Sequence, residues 1–74
     1  MKRILHHGYT VTATTKKHRG KWRPRARVSW ARGRRKIDLQ NDKSFTTKSG
    51  AEDYALLLGK HWVVNRIQAM QPLT

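Results

Sequence analysis

The stretch KWRPRARVSW, residues 21–30, decides the fold because its residues alternate between two chemical classes. Even-numbered members such as Trp22 and Val28 are apolar, whereas odd-numbered members such as Arg25 are basic or hydroxylic. Successive side chains of a β-strand point to opposite faces, so this alternation puts the apolar residues on one face and the polar residues on the other. The stretch therefore predicts a strand with one face in a core and one in solvent. Pro24 is expected at a bulge or an unpaired stretch, since proline cannot donate a ladder hydrogen bond.

A second strand is predicted upstream, over residues 8–14. Apolar residues such as Val11 and Ala13 fall on one side of that segment and threonines fall on the other. Val, Thr and Tyr also favour strands. The polar segment 16–20 ends in glycine and is expected to connect the two strands as a hairpin loop. Residues 1–7 are expected to form a flexible N-terminus.

A third strand is predicted downstream, over about residues 34–40, after a two-residue turn at Arg32 and Gly33. If Ala31 pairs with Arg34, one register places apolar residues together on one face and opposite charges together on the other. The three strands then fill residues 8–42. The pairs that follow from this register are Val28 with Ile37, Ala26 with Leu39, Arg27 with Asp38, and Arg23 with Asp42.

One helix is predicted over residues 47–69, where apolar residues recur at helical spacing. Its start has two candidate N-caps, because Ser49 stands at capping-box spacing from Glu52 and Thr47 is a rival. Pro72 ends any helix before the tail, residues 70–74. The apolar stripe is composed of Ala51, Tyr54, Ala55, Leu58, Trp62 and Ile67, and it is widened by Leu57, Val63 and Val64.

This order of elements predicts an α+β fold, in which a three-stranded antiparallel sheet (a β-meander) packs on one C-terminal α-helix. A chain of 74 residues has room for one small domain, residues 1–74. The helix is expected to cover the face that carries Trp22 and Trp30, so the tryptophans are predicted to pack in the core. The opposite, basic face is expected to stay in solvent.

The charge of the chain indicates the class of its partner. It has 17 Lys and Arg against 4 Asp and Glu, a formal net charge of +13. Residues 16–36 hold eleven of the basic side chains and no acidic one. Such a field attracts polyanions, among which nucleic acid is the commonest. Arginine outnumbers lysine on the predicted strands, and its planar fork suits phosphates and guanine edges.

Other classes of function lack the residues they need. The chain has no Cys, which excludes a disulfide scaffold and thiol chemistry and fits a cytoplasmic location. No signal peptide, transmembrane run, recognised metal-ligand spacing or phosphate-binding loop is present. We therefore expect no enzyme activity, no cofactor, no metal and no membrane partner. The predicted nucleic-acid-binding residues are Arg19, Lys21, Arg23, Arg25, Arg27, Arg32, Arg34, Arg35 and Lys36.

Three short motifs resemble those of the three-strand-plus-helix DNA-binding domains of plant AP2-type factors and of phage integrase arm-binding domains. They are RGKW at 19–22, SFTT at 44–47 and AEDYA at 51–55. The chain is similar also to short bacterial proteins of unassigned function. The resemblance implies that the sheet enters the major groove and that basic side chains of strands two and three contact bases and phosphates. The turn at 31–35 departs from that pattern.

The leading hypothesis is a small bacterial or phage protein that binds DNA without catalysis, held mainly by phosphate contacts. RNA or ribosome association is the near rival. A solubilising charged face is the structural alternative. A different class is a protein-interaction adaptor or homodimer, which would use an apolar patch formed by Leu57, Val63 and Val64 with the tail at 70–73.

Overall fold

A computed structural model describes residues 1–70 and shows an α+β fold with an antiparallel sheet packed against one helix. The sheet has the strand order β1-β2-β3-β4, and the helix lies against β1, β2 and β3. The predicted end of the helix before Pro72 falls outside the described residues. The elements are β1 (Lys2–His6), β2 (Tyr9–His18), β3 (Lys21–Trp30), β4 (Arg35–Gln40) and α1 (Lys48–Met70).

The sheet has four strands, so the prediction of three was wrong. The N-terminal segment, expected to be flexible, supplies β1, which pairs with β2 from Lys2–Ala13 to His6–Tyr9. A tight turn at His7 and Gly8 joins the two strands, with φ angles of 52° and 82°. Among the residues of β1, Ile4 packs against the core, whereas Leu5 is 77% exposed on the other face. A five-residue strand with so little apolar signal is easily taken for a loose end.

The β2–β3 hairpin is longer than its sequence pattern suggests. Each strand has ten residues, and pairing continues to His18–Lys21. Most of the predicted loop at 16–20 is therefore strand, and the turn is only Arg19 and Gly20, with φ angles of 51° and 78°. Two left-handed residues in a row suit the twist of a two-residue hairpin, and glycine accepts this conformation without steric cost.

The predicted register between β3 and β4 is confirmed. Val28 pairs with Ile37, Ala26 with Leu39, and Arg27 with Asp38. Pairing stops at Trp30–Arg35, so the connection is the four-residue turn 31–34 rather than two residues. The fourth predicted pair, Arg23 with Asp42, was wrong because β4 ends at Gln40.

Pro24 lies where the β3–β4 ladder is interrupted, as expected. Trp22 and Phe45 exchange both backbone hydrogen bonds, each 2.8 Å from N to O. Backbone groups of alternate residues point to the same side of a strand, so the missing N–H of Pro24 also faces the β4 side. That side is unpaired between the Arg25–Gln40 pair and the Trp22–Phe45 bridge. The absence of an N–H at Pro24 therefore costs the sheet no ladder hydrogen bond.

The core lies between α1 and the inner face of the sheet. Val11, Val28 and Val63 are fully buried in one cluster, and a second cluster is built from alanines of β2, β3 and α1. Trp30 and Trp62 pack against the first cluster, with ring centroids 5.4 Å apart. The predicted core role of these two tryptophans is confirmed.

The orientation of α1 corrects one prediction and decides between two others. Val63 is 0% exposed, so it is part of the core and not of an outward apolar patch. Of the three helix residues predicted for that patch, Leu57 is strongly exposed, at 60%, and the tail at 70–73 lies outside the residues whose side chains the structure describes. At the start of the helix, the amide of Gly50 donates to the hydroxyl oxygen of Thr47 at 3.0 Å. Thr47 is therefore the N-cap, rather than Ser49.

Gly59 is the point of closest approach between α1 and the sheet. A Cβ atom at this position would lie 2.3 Å from Cγ1 of Val11, whose side chain is fully buried in β2. Real Cβ atoms essentially never approach another heavy atom so closely. The helix can lie on β2 at this distance only because residue 59 has no side chain.

We predict that Gly59→Ala destabilises the protein, although alanine is the better helix former. The helix gains about 1 kcal/mol, and overpacking against Val11 costs about 1–3 kcal/mol, so a net loss of up to about 2 kcal/mol in unfolding free energy is expected. Urea denaturation measures it. In a Val11→Ala background the same change should be neutral or stabilising. An equal loss in both backgrounds would refute the contact as the cause.

Candidate functional site

The outer face of the sheet is left uncovered by α1 and is called the open face here. It consists of the side chains that alternate with the buried ones along all four strands. Val11, Ala13, Ala26 and Val28 point to the helix, so their neighbours in each strand point away from it. The members are Arg3, Leu5, Thr10, Thr12, Thr14, Lys16, His18, Lys21, Arg23, Arg25, Arg27, Ser29, Lys36, Asp38 and Gln40.

A continuous row of polar side chains crosses the open face from one edge of the sheet to the other. Arg3 is paired with Thr12 and Thr12 with Arg27. Arg27 in turn is paired with Asp38. Directly opposite residues in neighbouring strands hold their side chains close together. The register therefore places two arginines in one row, separated by a threonine of β2.

Arg27 and Asp38 form an ion pair at the end of this row. The Nε of Arg27 donates to Oδ1 of Asp38 at 2.8 Å. This hydrogen bond is the main reason why the pKa of Asp38 is lowered, with smaller contributions from the positive charges of Arg25 and Lys36. The same bond raises the pKa of Arg27. Both side chains are about half exposed, so the pair is accessible to solvent and to a ligand.

Two depressions mark the open face. The larger has a volume of about 320 Å³, and Arg3, Arg25 and Arg27 contribute to its wall. The smaller, of about 190 Å³, is lined in part by Lys16, Arg23 and Arg25. Arg25 belongs to both, so the two depressions are neighbours. Together they provide a run of cationic side chains around concave surface, an arrangement suited to an extended anionic ligand.

The structure divides the nine predicted binding residues among different surfaces. Lys21, Arg23, Arg25, Arg27 and Lys36 lie on the open face. The remaining four do not: Arg19 lies in the β2–β3 turn, Arg32 and Arg34 lie in the turn at 31–34, and Arg35 alternates with Lys36 and lies on the helix side of β4.

Two cations of the open face were missed by the sequence prediction. Arg3 was missed because residues 1–7 were treated as a flexible end, and Lys16 because it was assigned to a loop. A signal for both was present. The pair His7 and Gly8 precedes a strand in the same way as Arg19 and Gly20 do, and two such pairs at this spacing indicate a three-stranded meander before β4.

The acidic side chains of α1 lie on the other side of the sheet. Oε2 of Glu52 accepts from the amino group of Met1 at 2.6 Å, and Asp53 is ion-paired with Lys2. The pKa of Glu52 is lowered, chiefly by its hydrogen bond to that amino group. These contacts attach β1 to the helix. They also keep two of the chain's four carboxylates away from the open face.

The described part of the chain offers little to other kinds of chemistry. Across residues 1–70, no three His, Asp or Glu side chains come together as a possible metal site. No helix within this range is long and apolar enough to cross a membrane. The burial of Val63 removes part of the apolar patch on which the predicted adaptor or homodimer depends.

The cause of the lowered pKa of Asp38 can be tested by substitution. We predict that Arg27→Gln raises the pKa of Asp38 toward its usual value, because the main hydrogen bond and its charge are lost. Arg25→Gln should raise it less, since Arg25 acts only through its charge. The carboxyl carbon resonance, followed by NMR over a pH titration, gives both values. Equal shifts in the two variants would contradict the assignment.

The same pair has a pH dependence with a definite sign. A carboxyl whose pKa is lower in the folded state stabilises that state above its unfolded pKa, and this contribution is lost as pH falls through the folded value. The wild type should therefore lose stability relative to Arg27→Gln below about pH 4.

No protein family, curated protein or solved structure gives a match to the chain.

Proposed function

We propose that the protein binds nucleic acid, with DNA preferred, through the open face of its sheet and without catalysis. The observation that carries this proposal is the convergence of Arg3, Arg25 and Arg27 around one depression. Of these three, Arg27 has an acidic partner in the part of the chain that the structure describes. Arginines held on strands and exposed to solvent are well placed to contact phosphates and base edges.

The distribution of charge supports a polyanionic partner. A formal net charge of +13 destabilises the folded state through self-repulsion, and a role in binding or solubility would offset this cost. A face kept only for solubility usually mixes charges of both signs. Here the carboxylates of Glu52 and Asp53 are held on the helix side, where they pair with the N-terminal residues. The open face thereby keeps an excess of positive charge.

The dimensions of the sheet suit a duplex. A strand of ten residues is about 33 Å long, close to the roughly 34 Å of one turn of B-DNA. The sheet therefore carries its cations over a distance comparable to one turn of the duplex. The resemblance to AP2-type and integrase arm-binding domains remains a prediction, and it too implies that basic side chains of the sheet contact DNA.

RNA is the rival partner, and the same measurements separate it from DNA. Double-stranded RNA has a deep, narrow major groove that protein side chains cannot enter. If side chains of the protein contact bases in the major groove, it should therefore bind B-form DNA more tightly than double-stranded RNA. Preference for RNA or for single strands would support the ribosome-associated alternative.

We predict that the triple variant Arg3→Ala, Arg25→Ala, Arg27→Ala binds random-sequence duplex DNA more weakly and with a smaller salt dependence. With about five phosphates neutralised, the wild type should show a slope of log K against log salt near −4 to −5, and loss of three contacts should leave about −2. Fluorescence anisotropy from 50 to roughly 200 mM salt measures the slope.

The control removes the same number of arginines from outside the open face. Arg32→Asn, Arg34→Thr and Arg35→Thr together lower the net charge equally, and asparagine tolerates the left-handed conformation of residue 32. This variant should keep a slope near that of the wild type. If both triple variants lose binding equally, the net charge and not the open face is responsible. Thermal melting checks that each variant is folded.

A further inference from the structure

The end of the β2–β3 hairpin extends beyond the rest of the sheet. We call residues 16–21 the hairpin tip. β1 ends its pairing with β2 at Ala13, and the last contact on the other side is the Trp22–Phe45 bridge. Lys16 pairs with Arg23 just inside the bridge, and Lys17 pairs with Trp22 at the bridge itself. Beyond the bridge only two strands remain, with the pair His18–Lys21 and the turn at Arg19 and Gly20. All six residues of the tip are exposed.

The charges of the hairpin tip are free to meet a ligand. Lys16, Lys17, Arg19 and Lys21 are its cations, and no acidic residue occurs in this segment. None of the four is ion-paired within residues 1–70. Lys17 has one contact, with its Nζ 5.4 Å from the ring centroid of Trp22. The tip is therefore a cationic projection whose polar groups are otherwise directed to solvent.

The base of the hairpin tip is held firmly. Trp22 and Phe45 exchange two backbone hydrogen bonds, and the ring of Phe45 packs on Tyr54 of α1, with centroids 5.3 Å apart. Nζ of Lys48, in the first turn of the helix, lies 5.9 Å from the ring of Trp22. These contacts fix the direction in which the two-stranded segment leaves the sheet.

The width of the sheet decides which part of it can enter a groove. Strands lie about 4.8 Å apart, so four strands span about 14 Å between their outer axes before side chains are added. The major groove of B-DNA is about 12 Å wide and 8.5 Å deep, and it admits a two-stranded ribbon. The four-stranded part of the sheet is too wide to enter this groove. The hairpin tip has two strands and extends about 8 Å beyond Trp22, so it fits.

We propose that the hairpin tip enters the major groove of duplex DNA while the four-stranded part of the open face stays outside and contacts phosphates. This inference rests on the proposed function and adds the element that reaches the bases. Lys16 and Lys21 lie on the open-face side of the tip and Arg19 at its end. These three side chains are the ones expected to approach base edges.

The test is a variant of the tip that preserves its backbone. Lys16→Thr and Lys21→Thr keep strand preference, and Arg19→Asn keeps a residue that tolerates φ near 51°. The probe is a random-sequence duplex, compared with the same duplex carrying glucosylated 5-hydroxymethylcytosine. That uncharged group fills the major groove and leaves the minor groove open. Affinities are measured by anisotropy in one buffer.

The wild type should bind the blocked duplex at least roughly tenfold more weakly than the open one, the size of one lost base contact. The tip variant should bind the open duplex more weakly and distinguish little between the two. Equal affinity of the wild type for both duplexes would overturn the inference, because the tip would then lie in the minor groove or outside the DNA.

The outcomes separate this inference from the proposed function. If the Arg3, Arg25 and Arg27 variant loses binding but the tip variant behaves like the control with substitutions at 32, 34 and 35, the open face binds DNA and the tip does not enter it. If the wild type binds no duplex even at low salt, the proposed function itself fails. Thermal melting shows that the tip variant remains folded.

Discussion

The contact on which the rest of the structure depends is the close approach of α1 to β2 at Gly59. Because residue 59 has no side chain, the helix rests directly on Val11, and Val63 reaches the same buried cluster one turn later. This places the helix over β2 and β3, the two long strands, and not over β4. The position of the helix then determines which alternate residues are buried, and so which arginines remain on the open face.

How much could be predicted from the sequence depends on how far each signal was reinforced by a second one. The register of β3 and β4 was predictable because the apolar pairs and the Arg27–Asp38 pair required the same alignment. β1 was missed because Ile4 is its one large apolar residue packed on the core. The burial of Val63 was missed because adjacent apolar residues at 63 and 64 allow two rotations of the helix, and the contact at Gly59 selects one.

The residues of the candidate site could likewise be predicted only where a strand pattern fixed their direction. Alternation along β3 sufficed to place Arg23, Arg25 and Arg27 on one face, since the period of a strand fixes the direction of each side chain. It did not suffice for Arg19, Arg32 and Arg34, because turn residues follow no such period. The same alternation along β4 excludes Arg35, which shares the face of Ile37. Arg3 joins the site only through tertiary pairing of β1 with β2.

The division of β2 and β3 into a four-stranded half and a two-stranded end gives one pair of strands two different roles. The half beside β1 and β4 is anchored by the core, and it holds the backbone of Arg25 and Arg27 in place without help from a ligand. The hairpin tip lacks such neighbours, but its base is held by Trp22 and Phe45. Ordering side chains on binding costs about 0.5–1.5 kcal/mol each, and a backbone ordered in advance limits the cost to the side chains. A short tip on a rigid base therefore favours binding more than a long, flexible loop with the same charges would.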